Sequence, residues 1–150
     1  FRECLANINS VESLREIQRM INYLGALGKS LDICFCIDAT GSMQGIIDKV
    51  KQCIVKVANK IAVSTGMSCR LGLVIYRDYC DGLDRCKIWD FTDKLSFESQ
   101  LSTVVAKGGG DRAEDCFGGL LAATTQVSWR APSKVIIWMG IHPNMEGSIQ

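Results

Sequence analysis

Apolar positions along this chain fall into short segments, and the period within each segment predicts one element. Leu14, Ile17, Met20, Ile21 and Leu24 recur at helical spacing as far as about Leu27. They follow an Asn9-x-x-Glu12 pattern that resembles a capping box, and Gly28-Lys29-Ser30 ends the helix. Leu31 to Ile37 is nearly continuous in apolar residues, the pattern of a strand buried on both faces. Gly41 and Gly45 bracket a turn. A second helix then carries Ile46, Ile47, Val50, Cys53, Ile54, Val57, Ala58 and Ile61 in one stripe, with lysines opposite. Leu71 to Tyr76 predicts a second buried strand, and Asp81-Gly82 signals a turn. Lys87 to Thr92 alternates, with Trp89 and Phe91 expected on one face of an antiparallel edge strand. Phe97, Leu101, Val104 and Val105 predict a short helix that Gly108-Gly109-Gly110 breaks. Phe117, Leu120, Leu121 and Thr124 predict another, and Val135 to Met139 a last buried strand.

Strand, helix, strand, hairpin strand, helices, strand is the order of an α/β fold with a mainly parallel sheet. Such sheets bind ligands beyond the carboxyl ends of their strands, where strand order reverses. The positions to inspect are those just after Ile37 and just after Met139.

Composition narrows the function classes. The chain has 150 residues, 47% hydrophobic and 22% charged, enough for one domain with a substantial core. Seventeen basic and sixteen acidic residues leave a net charge of +1, so bulk charge gives no argument for nucleic acid or an anionic membrane. No apolar run is long enough to span a bilayer. No basic start precedes an apolar stretch, so no secretory signal is read, and the absence of an initiator Met suggests a piece of a longer protein. Eight cysteines could form a disulfide framework in a secreted chain. Here Cys34, Cys36 and Cys53 fall on apolar faces, no CxxC occurs and no Asn-x-Ser/Thr acceptor occurs. The expectation is unpaired thiols in a reducing cytoplasmic compartment, with Cys80 and Cys86 the pair closest to an exception.

The chemistry is concentrated after the first strand, in Asp38-Ala39-Thr40-Gly41-Ser42. One carboxylate and two hydroxyls at alternating positions of a tight loop suit a hard divalent cation. The same residues also suit an N-cap cluster, with Thr40 or Ser42 capping the following helix. No Ser-His-Asp grouping can be assembled around the lone His142, and Cys116 beside Asp115 is a poor candidate for a reactive thiol.

Ile37-Asp38-Ala39-Thr40-Gly41-Ser42-Met43 resembles the metal-ion-dependent adhesion motif of von Willebrand factor A domains. Tyr76-Arg77-Asp78-Tyr79, Gly108-Gly109-Gly110-Asp111 with Glu114-Asp115, and Trp129-Arg130 are similar to the intracellular A domains found with alpha-type protein kinases. The resemblance runs from about Leu31 to about Gly147. It implies a Rossmann-like sheet with helices on both faces and a metal at its carboxyl end. Residues 1–30 would then be an N-terminal helical segment, and 31–150 the first two-thirds of an A domain. Asp38, Thr40, Ser42 and Asp111 would hold Mg²⁺, or Mn²⁺ or Ca²⁺ in its place, Asp38 mostly through water. The family's third loop carries an Asp where this chain has Ile141. The family also continues with further strands, so the sheet is expected to be open beside Val135–Met139 and the segment not to persist as a soluble monomer.

The function expected is a non-catalytic protein-interaction module, part of a larger intracellular protein. A protein partner would complete the cation's coordination with an acidic side chain. The alternative is a scaffolding A domain whose metal site has degenerated, as Ile141 suggests. A metal-dependent hydrolase ranks last, because no general base is evident beyond Asp111.

Overall fold

Leu31 to Asp38 are buried without a break, because this strand has neighbours on both edges and helices against both faces. It is the centre of a four-stranded sheet in a computed structural model that describes residues 11–27, 30–64, 68–110 and 115–140. The elements run α1 (Val11–Leu27), β1 (Ser30–Asp38), a 3₁₀ turn (Gly41–Gly45), α2 (Ile47–Ser64), β2 (Ser68–Tyr76) and a second 3₁₀ turn (Tyr79–Asp84). They continue with β3 (Cys86–Thr92), α3 (Lys94–Ser102), α4 (Cys116–Thr125) and β4 (Ser133–Met139). The order across the sheet is β3-β2-β1-β4, with β1 parallel to both β2 and β4 and β3 antiparallel to β2. The α/β order and the antiparallel edge strand are therefore as the periodicity predicts. The Asn9 capping box lies outside the described residues.

One face of the sheet presents Ile33, Phe35, Ile37, Leu73 and Ile137 to helices α1, α2 and α3. Ile17 and Ile21 of α1 are buried in this core, as are Ile54 and Ile61 of α2. Phe97 of α3 packs its ring 5.4 Å from that of Phe35. The other face presents Cys34, Cys36, Val74 and Tyr76 to α4. Full burial of a large aliphatic side chain stabilises by about 1.5–3 kcal/mol, so these two clusters carry the fold.

Three expectations need correction. Trp89 and Phe91 do not share a face: Trp89, level with Leu73, packs against the cluster that contains Phe35, whereas Phe91 packs on the cysteine side. A register shift between Leu71 and Leu73 inserts one extra residue into β3 and inverts the alternation. Helix α3 ends at Ser102, so Val104 and Val105 belong to the loop that follows. Helix α4 does not bury its large residues. Gly119, Ala122 and Ala123 face the sheet while Phe117 is 86% exposed and Leu121 60%. The reason is Tyr76, whose ring would lie 2.6 Å from a Cβ placed on Gly119.

The lower end of the sheet is closed by a buried ion pair. Asp32 accepts from Arg70 Nε at 3.0 Å and Nη2 at 2.6 Å, and from the backbone N–H groups of Arg130 at 2.7 Å and Ala131 at 2.9 Å. Burial by itself would raise the Asp32 pKa, but Arg70 and the two N–H donors outweigh it and hold the carboxyl below its usual range. Among the described residues no helix is long and apolar enough to cross a membrane.

Candidate functional site

Parallel pairing brings the carboxyl ends of β1, β2 and β4 together, with Asp38 level with Tyr76 and Ile37 level with Met139. Beyond Asp38 the backbone is pinned at Ala39. Its N–H donates to the Tyr76 carbonyl at 2.9 Å, and its own carbonyl accepts from Lys107 N at 3.0 Å and Arg77 Nε at 3.1 Å. This fixes the direction in which the next residues leave the sheet.

The structure brings Asp38, Thr40 and Ser42 together. Asp38 Oδ1 accepts from Thr40 N at 2.8 Å and from Thr40 Oγ1 at 2.7 Å, and Thr40 Oγ1 lies 2.9 Å from Ser42 Oγ. Asp38 is 1% exposed and Thr40 2%, whereas Ser42 is at the surface. A line of three oxygens thus runs from a buried carboxylate out to solvent. Thr40 precedes the 3₁₀ turn but makes no side-chain cap bond to it. Its hydroxyl turns back to Asp38 instead, which separates this arrangement from an ordinary helix cap. The donor set is all oxygen, one carboxylate and two hydroxyls whose protons can rotate away, and it fits a hard divalent cation.

The glycine-rich loop after α3 borders these residues. Gly108 and Gly109 have φ of +73° and +81°, values that a side chain would strain. The Gly108 carbonyl accepts from Gly41 N at 3.0 Å. A Cβ on Gly109 would sit 3.4 Å from Thr40 Cβ and 3.3 Å from Asp78 Oδ2, so the loop packs closely between the two. Asp111 and Glu114 lie outside the described residues, as do Ile141 and His142.

Sequence reasoning missed what holds this loop. Asp78 Oδ2 accepts from Gly110 N at 2.9 Å, and Asp81 Oδ2 accepts from Gly109 N at 3.0 Å and Asp78 N at 3.0 Å. The ligand atoms of Asp78, Cys80 and Asp81 lie within 4.8 Å of one another. Arg77, 2% exposed, joins three loops by donating to the carbonyls of Ala39, Asp84 and Val105 at 3.1, 2.9 and 3.0 Å. The available signal was the charged pair Arg77-Asp78 directly after a buried strand, where no fold needs charge for its own sake.

Two further groups surround the site. Asp115 caps α4 by accepting from Gly118 N at 3.0 Å and forms a short ion pair with Arg85. Burial alone would raise its pKa, but Arg85, the Gly118 N–H and Tyr79 hold it below the usual carboxylate range. Tyr76 accepts from Trp138 Nε1 at 2.8 Å, and burial first, then the Asp38 charge, push its phenol far above the ordinary value. Cys34, Cys36, Cys53, Cys69 and Cys86 are free thiols, so no disulfide joins Cys80 to Cys86. Burial raises the Cys34 thiol to about 12, with Asp90 adding to it, and burial lifts Cys36 further, so neither is a nucleophile at neutral pH.

Comparison with known proteins bears on the same stretch of chain. A family model described as a von Willebrand factor A domain matches residues 32–135. The chain is 29% identical over 109 residues to Alpha-protein kinase vwkA of Dictyostelium discoideum, an alignment covering 71% of this chain and 17% of the kinase. It is 26% identical over 120 residues to the ariadne-like RING finger protein R811 of Acanthamoeba polyphaga mimivirus, covering 75% of this chain and 11% of that protein. The chain therefore spans less than a fifth of either relative.

Proposed function

Because the chain belongs to the von Willebrand factor A domain family, we propose that it is a non-catalytic interaction module working through a cation held by Asp38, Thr40 and Ser42. The observation that carries this is the Thr40 hydroxyl, which joins the Asp38 carboxylate to Ser42 and caps no helix. Mg²⁺, or Mn²⁺ or Ca²⁺, would supply a positive centre that attracts an acidic side chain of a protein partner. This chain's residues do the rest. Asp38 provides a carboxylate, Thr40 and Ser42 provide neutral oxygens that add no charge, and Asp111, which follows Gly110 in the sequence, would be the further ligand. Arg77 holds the loops at fixed spacing through three carbonyls. Exposed Tyr79, Leu83 and Phe117 at the same end of the sheet add apolar area of the kind that interfaces bury.

The setting we propose is a longer intracellular protein, as the length of the relatives and the buried, unbridged thiols of Cys34 and Cys36 suggest. A second reading, a scaffold whose cation site has degenerated, is favoured by Ile141 in place of the family's third-loop Asp. Calorimetric titration with Mn²⁺ tests the first reading. Binding should weaken at least tenfold in Thr40→Val, the loss typical of removing a supporting partner alone, and partner capture should vanish in chelator. Mn²⁺ binding unchanged by Thr40→Val removes the site, while capture that survives chelator favours the scaffold.

A further inference from the structure

We propose that the turn after β2 holds a second divalent cation, softer in preference than the first, between Asp78, Cys80 and Asp81. The three residues follow one another at i, i+2 and i+3 in a tight 3₁₀ turn, and their ligand atoms already lie within 4.8 Å of one another. Around a tetrahedral zinc-sized ion, oxygen and sulfur ligands stand roughly 3.4–3.7 Å apart, so a small side-chain rotation closes the set. A thiolate beside two carboxylates selects zinc or cobalt over magnesium or calcium, the reverse of the all-oxygen site at Asp38.

Clamping the glycine loop and boxing the start of the 3₁₀ turn, where the Asp78 and Asp81 side chains meet each other's backbone N–H groups, account for only part of this cluster. The loop N–H groups and the Asp78 N–H all bind Oδ2 atoms. Asp78 is 1% exposed, and its Oδ1 is buried without a hydrogen bond among the described residues. Nor does Asp78 or Asp81 enter an ion pair among those residues. Two carboxylates this close repel, and a buried one with an unused oxygen is poorly compensated by neutral N–H donors. A cation answers both deficits at once, and Cys80, exposed at the turn, gives it a path from solvent.

The proposal is independent of the Asp38 site, and the test separates the two. Co²⁺ is the probe, since a cobalt–thiolate bond produces a charge-transfer band in the near ultraviolet that oxygen ligands do not. The chain should develop this band at one equivalent of Co²⁺, and Zn²⁺ should displace it. Cys80→Ser should abolish the band, and Asp81→Asn should weaken Co²⁺ binding by more than about tenfold. Thr40→Val should leave the band intact, and Cys80→Ser should leave Mn²⁺ binding at the first site unchanged. Because Cys80 is exposed, its replacement should not shift the melting temperature in chelator, and that measurement guards against misfolding. Absence of the band, or a band that persists in Cys80→Ser, overturns the proposal.

Discussion

Replacing Asp32 with alanine removes the acceptor around which the lower end of the sheet is assembled. Four hydrogen bonds end on this carboxylate, two from Arg70 and one each from the N–H groups of Arg130 and Ala131. Losing one partner of a buried ion pair costs about 3–5 kcal/mol when the other charge stays buried. Arg70 is 26% exposed and can turn partly to water, which places its share at the low end. The two N–H groups lose their acceptor at about 1–3 kcal/mol each where water cannot reach them. Since these contributions overlap, Asp32→Ala should lose about 3–5 kcal/mol. Asp32→Asn, which keeps an oxygen for the backbone donors, should lose about half of that. The pH dependence distinguishes charge from shape. The folded-state pKa of Asp32 is depressed, so its charge contributes fully above the unfolded value near 3.9 and is lost as pH falls through the folded value. The advantage over Asp32→Asn should therefore hold at pH 7 and shrink below about pH 4. Urea denaturation followed by tryptophan fluorescence measures both, provided the m value is unchanged. A loss under about 1 kcal/mol for Asp32→Ala, or a pH-independent gap to Asp32→Asn, would refute the reasoning.

Other expectations are equally direct. Gly119→Ala gains up to about 1 kcal/mol of helix propensity but places a methyl 2.6 Å from the Tyr76 ring, so the net effect should be a loss of about 1–3 kcal/mol on thermal melting. A gain in melting temperature would mean that α4 can shift off the sheet freely. Arg77→Met takes a donor from three loop carbonyls, of which Ala39 keeps the Lys107 N–H, and should destabilise by about 2–3 kcal/mol. Hydrogen exchange should then quicken at Lys107 and Gly41, whose N–H groups bridge the same loops. With thiol pKa values pushed up by burial, Cys34 and Cys36 should resist alkylation in native protein at neutral pH, while exposed Cys80 reacts first. Labelling followed by mass analysis checks the order.

What could be read in the sequence was whatever depends on neighbours along the chain. The unbroken apolar run from Ile33 to Ile37 can be satisfied only by a strand covered on both sides, and the stripe from Ile46 to Ile61 only by a helix on a sheet. Asp38, Thr40 and Ser42 converge because alternate residues of one tight loop have few ways to diverge. Features set by distant partners left no such trace. The faces of Trp89 and Phe91 are decided by a bulge against Leu71 and Leu73. The buried face of α4 is decided by the bulk of Tyr76 on another strand, which admits Gly119 and turns Phe117 outward. Asp78 and Asp81 meet Gly110 and Gly109, 32 and 28 residues away, and local pattern is silent about such contacts.

The place of β1 at the centre of the sheet has a consequence for the order in which the fold can be made. Its partner on one side, β2, follows after a single helix, but its partner on the other side, β4, is the last strand described. The N–H groups that complete Asp32 belong to residues 98 and 99 positions later. At synthesis rates of about 5–20 residues per second, the first strand waits roughly 5–20 s for that neighbour to be made. Through that interval one edge of the most apolar segment in the chain has no native partner. Pairings of such long separation are also the slow ones once the chain is free. The final docking of β4, with its loop closing on Asp32, should therefore set the refolding rate, and the nascent chain is a client for whatever shields apolar strands in the cell.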